Sequence, residues 1–169
     1  MAKSVHSGPM AHAPEPPAFT LVNAQASDFE ALLALRSEAM RESLERLGRF
    51  DPERVRQRFL ASFAPEATRH VLVFGEPVGF FTLKTAANGL LLDHLYVHPR
   101  HQGRGLGSAL LGLVFDEADA AGLELRVGAL RGSASNRFYT RHGFTQVGES
   151  EWDIYYARAA RPLVPPEPA

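Results

Sequence analysis

The sequence predicts an α/β domain in which helices flank a mixed central β-sheet, with the element order β-α-α-β-β-β-α-β-α-β-β. Helical spacing of apolar residues in its long segments and short apolar runs bounded by turn residues support this prediction. A glycine-rich corner also joins a long apolar run to a helix-like segment. At 169 residues the chain is expected to fold as a single domain with a sizeable core.

Composition excludes several classes of function. The net charge of -1 gives no reason to expect nucleic acid or an acidic membrane as a partner. The absence of cysteine excludes disulfides, thiolate metal ligands and a cysteine nucleophile, and it fits a cytoplasmic protein. No apolar run is long enough to span a membrane. A homodimer is compatible with the sequence.

The two ends of the chain differ in composition from the middle. Residues 1–17 are rich in Ala, Pro and His and lack the apolar core of a secretory signal, so we expect them to be disordered. Met10 would then be the natural start, preceded by an expression scar. Residues 18–160 are expected to form the domain, and residues 161–169 a flexible tail.

The first half of the domain is predicted to contain a strand and two helices. "AFTLVNA" is typical of a short strand, and Ser27 with Glu30 forms the Ser-x-x-Glu pattern of a capping box. Gly48 is predicted to end the first helix, and Asp51 followed by Pro52 to begin the second. The first helix has the apolar stripe Phe29, Leu32, Leu33, Met40, Leu44 and Leu47, and the second has Val55, Phe59 and Phe63.

The second half is predicted to alternate strands and helices. "HVLVF" and "VGFFTL" form a hairpin, and the Asn88-Gly89 turn leads into "LLLDHLYVH", which suits a central strand. Helical spacing from Leu106 to Val114 predicts a third helix that ends at Gly122. "LELRVGAL" is typical of a strand and "SASNRFYTRH" of a shorter helix that ends at Gly143. "FTQVGE" and "EWDIYYAR" are predicted to be the closing strands.

The corner between the central strand and the third helix contains Gly103, Gly105 and Gly107. A helix N-terminus exposes unpaired N–H groups, and glycines let the backbone approach an anion closely, so the corner predicts a phosphate site. No Walker A string occurs. The dinucleotide pattern G-x-G-x-x-G/A is matched incompletely, because Ser108 stands at its last position. Glu124 does stand about twenty residues on, where the ribose-binding acid would be, but the corner lies past mid-chain.

The hexapeptide Gln102–Gly107 (QGRGLG) matches every fixed position of the acyl-CoA pattern Q/R-x-x-G-x-G/A. "LYVHP" stands before it, "EPVGFFTL" further upstream and "FYTRHGF" downstream. In these pieces, their order and their spacing, the chain from about Phe19 to Arg158 resembles the GNAT superfamily, the Gcn5-related N-acetyltransferases. One position departs from the pattern: Gly132 stands where relatives often have an asparagine, and Asn136 is nearby but shifted.

The resemblance implies that acetyl-CoA is the cosubstrate, that no metal takes part, and that an amine attacks the thioester directly without an acyl-enzyme. The pantetheine arm would pair with the fourth strand like an added strand, and a backbone N–H there, near a bulge, would hold the oxyanion. Arg100, His101 and Arg104 are either phosphate contacts or a solvated basic rim. The cofactor-binding residues implied are Leu95, Tyr96, Val97, Gln102, Gly103, Arg104, Gly105, Leu106, Gly107, Ser108 and Asn136.

Two residues are candidates for proton transfer. Tyr139 stands at the tyrosine of the Phe-Tyr pair, and the resemblance implies that it protonates the leaving thiolate. A phenol near its ordinary pKa of about 10 suits a thiol with a pKa of about 8.5. Asp93 is the candidate base, and strand alternation predicts it on the face of Leu95 and Val97. A structural pairing of Asp93 is the open alternative.

His94 and His98 are predicted to share the opposite strand face with Tyr96. They could form a metal pair, but a third ligand is not evident, so no metal is expected.

Arg36 and Met40 are the candidate contacts to the acceptor, since the resemblance implies a pocket built partly from the first two helices. Arg36 interrupts a buried stripe, so it requires a partner or a ligand, or it snorkels to the surface. The aromatic residues Trp152, Tyr155 and Tyr156 are predicted to be ordinary strand residues. The function predicted is N-acetylation of a small molecule, protein or peptide amine. The alternatives are a non-catalytic acyl-CoA sensor of the same fold and, more distantly, an NAD-binding enzyme.

Overall fold

The computed structural model describes residues 15–162 and Pro168, and its strands and helices follow the predicted order. The predicted N-terminal and C-terminal tails lie mostly outside these residues. The strands are β1 (Thr20–Asn23), β2 (Thr68–Val73), β3 (Glu76–Ala86), β4 (Gly89–Val97), β5 (Glu124–Leu130), β6 (Thr145–Glu149) and β7 (Asp153–Arg158). The helices are α1 (Phe29–Arg46), α2 (Pro52–Ser62), α3 (Leu106–Ala121) and α4 (Ser135–Arg141).

The strands form one mixed sheet in the order β1-β2-β3-β4-β5-β7-β6. Neighbouring strands are antiparallel except β4 and β5, which run parallel in the middle of the sheet. The parallel pairing joins Gly89–Leu92 to Glu124–Val127 and goes no further. Beyond these residues the two strands separate, which leaves a gap at the centre of the sheet.

A helical layer covers each face of the sheet. On one face α3 buries Leu106, Leu110 and Val114 against the β4 and β5 side chains. On the other face α1 and α2 bury Leu32 and Phe59 against the sheet. Both layers are therefore built from the stripes that helical spacing predicts. No helix within residues 15–162 has both the length and the apolar character needed to cross a membrane.

The start of α2 confirms its prediction, whereas the start of α1 does not. Asp51 accepts hydrogen bonds from the N–H groups of the first α2 turn, at 3.1 and 3.3 Å. The Ser27–Glu30 capping box was a wrong prediction, because a short 3₁₀ turn precedes α1 and places Ser27 inside it. The Gln25 N–H instead donates to Asp28 Oδ2 at 2.8 Å, and Glu30 pairs with an arginine of α2.

Candidate active site

The glycine corner forms an array of free backbone donors. Gly103 and Gly105 adopt left-handed backbone conformations, with φ of +77° and +79°, which glycine reaches without strain. Gly105 is the N-cap of α3, and no side chain caps the helix there. Within the described chain, no backbone carbonyl accepts from the N–H groups of residues 103–108. The corner therefore presents consecutive donors and the positive end of a 16-residue helix to an anion.

Side chains on either side hold this corner in place. Gln102 Nε2 donates to the Val97 carbonyl at 2.8 Å, which ties the corner to the end of β4. Ser108 Oγ lies 2.9 Å from His142 Nε2, which ties α3 to the end of α4. At Gly107 an added Cβ would lie 3.5 Å from the Phe138 ring, so a side chain there would contact α4. Arg100 and Arg104 are exposed at the rim, where either of their predicted roles stays open.

The gap between β4 and β5 forms a groove of about 140 Å³ that starts beside this corner. Leu95, Tyr96 and Val97 line one side, Gln102 lies at the corner end, and Tyr139 also lines it. These β4 residues make no ladder contact with β5, so backbone groups on that edge are free to pair with an extended ligand. The structure thus brings together the predicted cofactor residues of the strand and those of the corner.

A β-bulge in β4 determines the orientation of Asp93. Thr82 pairs with His94 and Leu83 with Leu92, so Asp93 is the extra residue between them. The prediction that Asp93 shares a face with Leu95 and Val97 is wrong, because an inserted residue reverses strand alternation. Leu95 and Val97 pack on the α3 side, whereas Asp93 lines the cavity on the other side together with His94 and Tyr96.

Asp93 belongs to a small polar cluster beneath α2. Its Oδ2 lies 2.7 Å from Lys84 Nζ, which also donates to the Ser62 carbonyl at 2.8 Å. The Ser62 hydroxyl lies 3.0 Å from His94 Nε2, and Asp93 Oδ2 lies 3.7 Å from the same nitrogen. Sequence reasoning missed the roles of Lys84 and Ser62. The lysine in the otherwise apolar "FFTLKTA" was the signal that a carboxylate partner lay nearby.

The histidine of this cluster is neutral at physiological pH. Burial lowers the pKa of the His94 imidazole to about 4, and the neighbouring Asp93 carboxylate only partly opposes this. The ring packs edge-on against Phe59, with 5.3 Å between centroids. His98 lies elsewhere, since its Nδ1 accepts from the Arg100 N–H at 3.2 Å. The two histidines therefore do not converge, and no group of three metal-ligating side chains occurs among the described residues.

Tyr139 is buried among aromatic rings, and its side chain lines the groove. It is 5% exposed and packs against Phe138, Phe144 and Tyr156. Burial raises its pKa well above the ordinary value, which departs from the expectation of an unperturbed phenol. The hydroxyl therefore stays protonated across the working pH range. Within the described chain it makes no hydrogen bond, which leaves it available to a ligand.

The amide of Asn136 is engaged within the protein. Its Nδ2 donates to the Leu130 and Ser133 carbonyls at 2.8 and 3.0 Å. Its Oδ1 accepts from the Tyr156 hydroxyl at 2.8 Å. These bonds fasten the end of β5 to the start of α4. The geometry thus favours a structural role for Asn136, and its predicted contact with the cofactor stays a prediction.

A larger cavity of about 680 Å³ adjoins the groove and is enclosed by α1, α2, β4, β5 and β7. Asp93 and Tyr96 line both spaces, so the cavity and the groove meet at the bulge. The predicted acceptor residues Arg36 and Met40 both line the cavity. A space of this size accommodates a small molecule.

Of the three aromatic residues predicted to be ordinary strand residues, Tyr155 and Tyr156 lie in β7 and Trp152 precedes it. Trp152, Tyr155 and Tyr156 all line the cavity. Trp152 precedes β7, and the Arg49 guanidinium lies 3.3 Å from the centroid of its ring. This contact joins the loop after α1 to the β6–β7 turn across the cavity. Sequence periodicity could not reveal it, because both residues lie in turns.

Comparison with known families identifies the chain. Residues 67–146, which contain the bulge, the corner and Tyr139, match the family model of the acetyltransferase (GNAT) domain. This part of the chain belongs to the GNAT superfamily. The matched family is one of acetyltransferases, so the chain is an acyltransferase.

Two solved GNAT proteins share the fold. The PaiA N-acetyltransferase from Thermoplasma acidophilum, solved with coenzyme A, aligns with a TM-score of 0.69 at 18% identity. That alignment covers 84% of this chain and 99% of that one. The ribosomal-protein-S18-alanine N-acetyltransferase from Escherichia coli aligns with a TM-score of 0.64 at 17% identity, over 90% of this chain and 99% of that one.

A curated relative has higher local identity. The L-methionine sulfoximine/L-methionine sulfone acetyltransferase from Salmonella typhimurium (strain LT2) is 43% identical over 57 residues. This match covers 32% of the present chain and spans only a third (33%) of that relative. The GNAT relatives therefore include one named for small amino-acid analogues and one named for a protein substrate.

Proposed function

We propose that the protein transfers an acetyl group from acetyl-CoA to a primary amine by direct attack of the amine on the thioester. The observation that carries the proposal is that a donor-rich corner, a groove and a cavity adjoin one another. A corner of free backbone donors opens into a groove beside an unpaired strand edge, and the groove opens into a cavity at Asp93.

The corner is suited to the pyrophosphate of the cosubstrate. Backbone N–H groups from Gly103 to Ser108 would bind its oxygens, because they have no acceptor within the described chain. The extended pantetheine arm carries amide groups, which can pair with the free edge of β4 as an added strand does. Bound in this way, the cosubstrate supplies an activated acyl group at the bulge.

The β4 bulge would hold the negative charge that develops on the thioester oxygen. Beyond Leu92 the ladder to β5 has ended, so N–H groups on that edge of β4 have no strand partner. Fixed donors of this kind stabilise a developing charge without reorganising during the reaction.

Asp93 would accept a proton from the ammonium of the acceptor, which frees the lone pair of the amine for attack. Lys84 binds its Oδ2, and the described structure assigns no partner to its other carboxylate oxygen. His94 is less suited to this step, since its Nε2 lies 3.0 Å from the Ser62 hydroxyl and its ring is buried against Phe59.

Tyr139 would donate to the departing sulfur. Tyr139 lines the groove, and its hydroxyl remains protonated and has no competing acceptor within the described chain. As the amine nitrogen bonds to the carbonyl carbon, the carbon–sulfur bond breaks and the thiolate receives this hydrogen bond and then a proton. The raised pKa means that hydrogen-bond donation precedes full transfer of the proton.

The test is an acetyl-CoA turnover screen with thiol release as the first readout and mass spectrometry of the acetylated product as the second. The acceptor panel contains polyamines, amino acids, aminoglycosides and peptides. Amine-dependent thiol release with an acetylated product is expected for at least one class. Coenzyme A binding without turnover on any of these amines would instead support the acyl-CoA sensor.

A further inference from the structure

The two buried arginines of the described chain differ in their partners. Arg158 is 6% exposed and forms a bidentate pair with Asp119, at 2.8 and 3.1 Å. Arg36 is 8% exposed, yet no carboxylate of the described residues pairs with it. A buried guanidinium usually requires an anion, because removing it from water without one is costly. Arg158 therefore has a carboxylate partner, and Arg36 has none among the described residues.

The protein contacts of Arg36 do not satisfy its guanidinium. Its hydrogen bond within the described chain is a long one, from Nη1 to the Val55 carbonyl at 3.4 Å. Nε is buried without a partner. The guanidinium carbon lies 5.7 and 5.8 Å from the ring centroids of Phe59 and Tyr96, near the outer limit of a cation–π contact. These rings fix the direction of the side chain but accept none of its N–H groups.

The charge around the cavity is predominantly positive on the side of α1 and α2. Arg36, Arg54 and Arg58 line that side, and neither Arg54 nor Arg58 forms an ion pair with any described acid. Of the three acids in the lining, Asp51 caps α2, Asp93 pairs with Lys84, and Asp153 begins β7. An anionic ligand group would therefore be attracted to the α1–α2 side and an ammonium to the Asp93 side.

Arg36 and the proposed base lie close enough for one small ligand to reach both. His94, the neighbour of Asp93 in β4, has its ring centroid 5.3 Å from that of Phe59 and 5.8 Å from that of Tyr96. Arg36 contacts the same two rings at similar distances. The Arg36 guanidinium and the residue next to Asp93 thus contact the same pair of aromatic rings.

We propose that the acceptor is a small amine that also carries a carboxylate, with its amine at Asp93 and its carboxylate on Arg36. This inference rests on the proposed acetyl transfer and adds the chemical class of the acceptor. A planar carboxylate matches the guanidinium fork, and binding it supplies the anion that the fold does not. Arg36 is then the residue that determines specificity for the acid.

The test compares each of several amino acids with its carboxamide, which has the same side chain and a neutral terminus. The amide's amine is less protonated at neutral pH, so without charge recognition the amide would be the better acceptor. For the wild type we expect kcat/KM to be at least tenfold higher for the acid. Arg36→Gln should remove this preference, mainly by raising KM for the acid. Its kcat/KM for the amide should stay within about threefold of the wild-type value. Arg36→Lys should retain part of it.

Arg69→Gln is the matched control, because Arg69 also lies over an aromatic ring but pairs with Glu117 outside the cavity. It should preserve the ratio of acid to amide. That ratio is independent of the folded fraction, so partial unfolding of a variant does not affect the comparison. Equal kcat/KM for acid and amide in the wild type, or an unchanged ratio in Arg36→Gln, overturns the inference.

Calorimetric titration separates this inference from the proposed function. If no amine is acetylated, the proposed transfer fails, and the binding of acids and amides is measured directly. Tighter binding of the acid that depends on Arg36 still supports the carboxylate site. Equal binding of acid and amide to the wild type overturns it.

Discussion

Removing the Tyr139 hydroxyl should separate catalysis from stability. Tyr139→Phe keeps the ring and its contacts with Phe138 and Phe144, and the hydroxyl has no hydrogen bond to lose within the described chain. The free energy of unfolding should therefore change by less than about 1 kcal/mol. General acid assistance is worth about 10²–10⁴-fold in rate, or roughly 3–5 kcal/mol of barrier. We expect turnover to fall at least tenfold while the Kd for acetyl-CoA changes by less than about threefold.

Tyr156→Phe provides the reciprocal case. Its hydroxyl donates to Asn136 Oδ1, so its removal leaves a partly buried acceptor without its donor and should cost about 1–2 kcal/mol of stability. The assays are steady-state thiol release, calorimetric titration with coenzyme A, and denaturant unfolding. The role of Tyr139 as the proton donor would be refuted if Tyr139→Phe kept full turnover with its best acceptor. Water or the ammonium of the acceptor would then supply the proton to the thiolate.

Three further predictions concern the corner, the bulge and the buried histidine. Gly105→Glu should abolish the rise in Tm that coenzyme A causes, whereas Gly122→Ala, at the left-handed C-cap of the same helix, should lower stability by about 1 kcal/mol and keep that rise. Asp93→Asn should reduce turnover most at low pH, where deprotonating the amine is hardest, with coenzyme A affinity nearly unchanged; an unaltered pH profile would remove Asp93 from the mechanism. Because the folded-state pKa of His94 lies near 4 and the unfolded value near 6.5, the free energy of unfolding should fall as pH drops from 6.5 to 4. Urea unfolding of His94→Gln should show a weaker pH dependence over that window, and an identical slope would contradict the assignment.

Local signals in the sequence were sufficient to predict the order of the elements. The Asp51-Pro52 helix start and the Gly122 stop act within a few residues, so they could be recognised without tertiary information. The Ser27 capping box looked equally local, but Asp28 lies 3.0 Å from His70 of β2 and forms the turn that displaces it. A capping pattern decides a helix start only where no distant residue competes for the same side chain.

The glycine corner was anticipated from the residues and a bulge near the fourth strand from the resemblance, but the orientation of Asp93 was not. The corner depends on the alternating glycines Gly103, Gly105 and Gly107, which are visible in the chain. The orientation of Asp93 depends on the pairing of β3 with β4, where one unpaired residue moves the carboxylate to the other side of the sheet. The Arg49–Trp152 contact likewise joins residues about a hundred positions apart, which periodicity cannot connect. The residues that line the cavity therefore emerge only from the assembled fold.

The short pairing of β4 with β5 leaves a seam in the middle of the sheet. Four residue pairs join a block of strands on one side to a block on the other, apart from the helices that bridge them. A cosubstrate arm lying in the gap would extend the ladder along this seam. Binding of the ligand would therefore contribute to the cooperativity of unfolding. Within residues 93–97, the amide protons that face the gap and not β3 should then exchange quickly with solvent in the free protein and slowly when coenzyme A is bound. In this respect the cosubstrate is also a structural element, and unfolding of the two blocks should become more concerted as it binds.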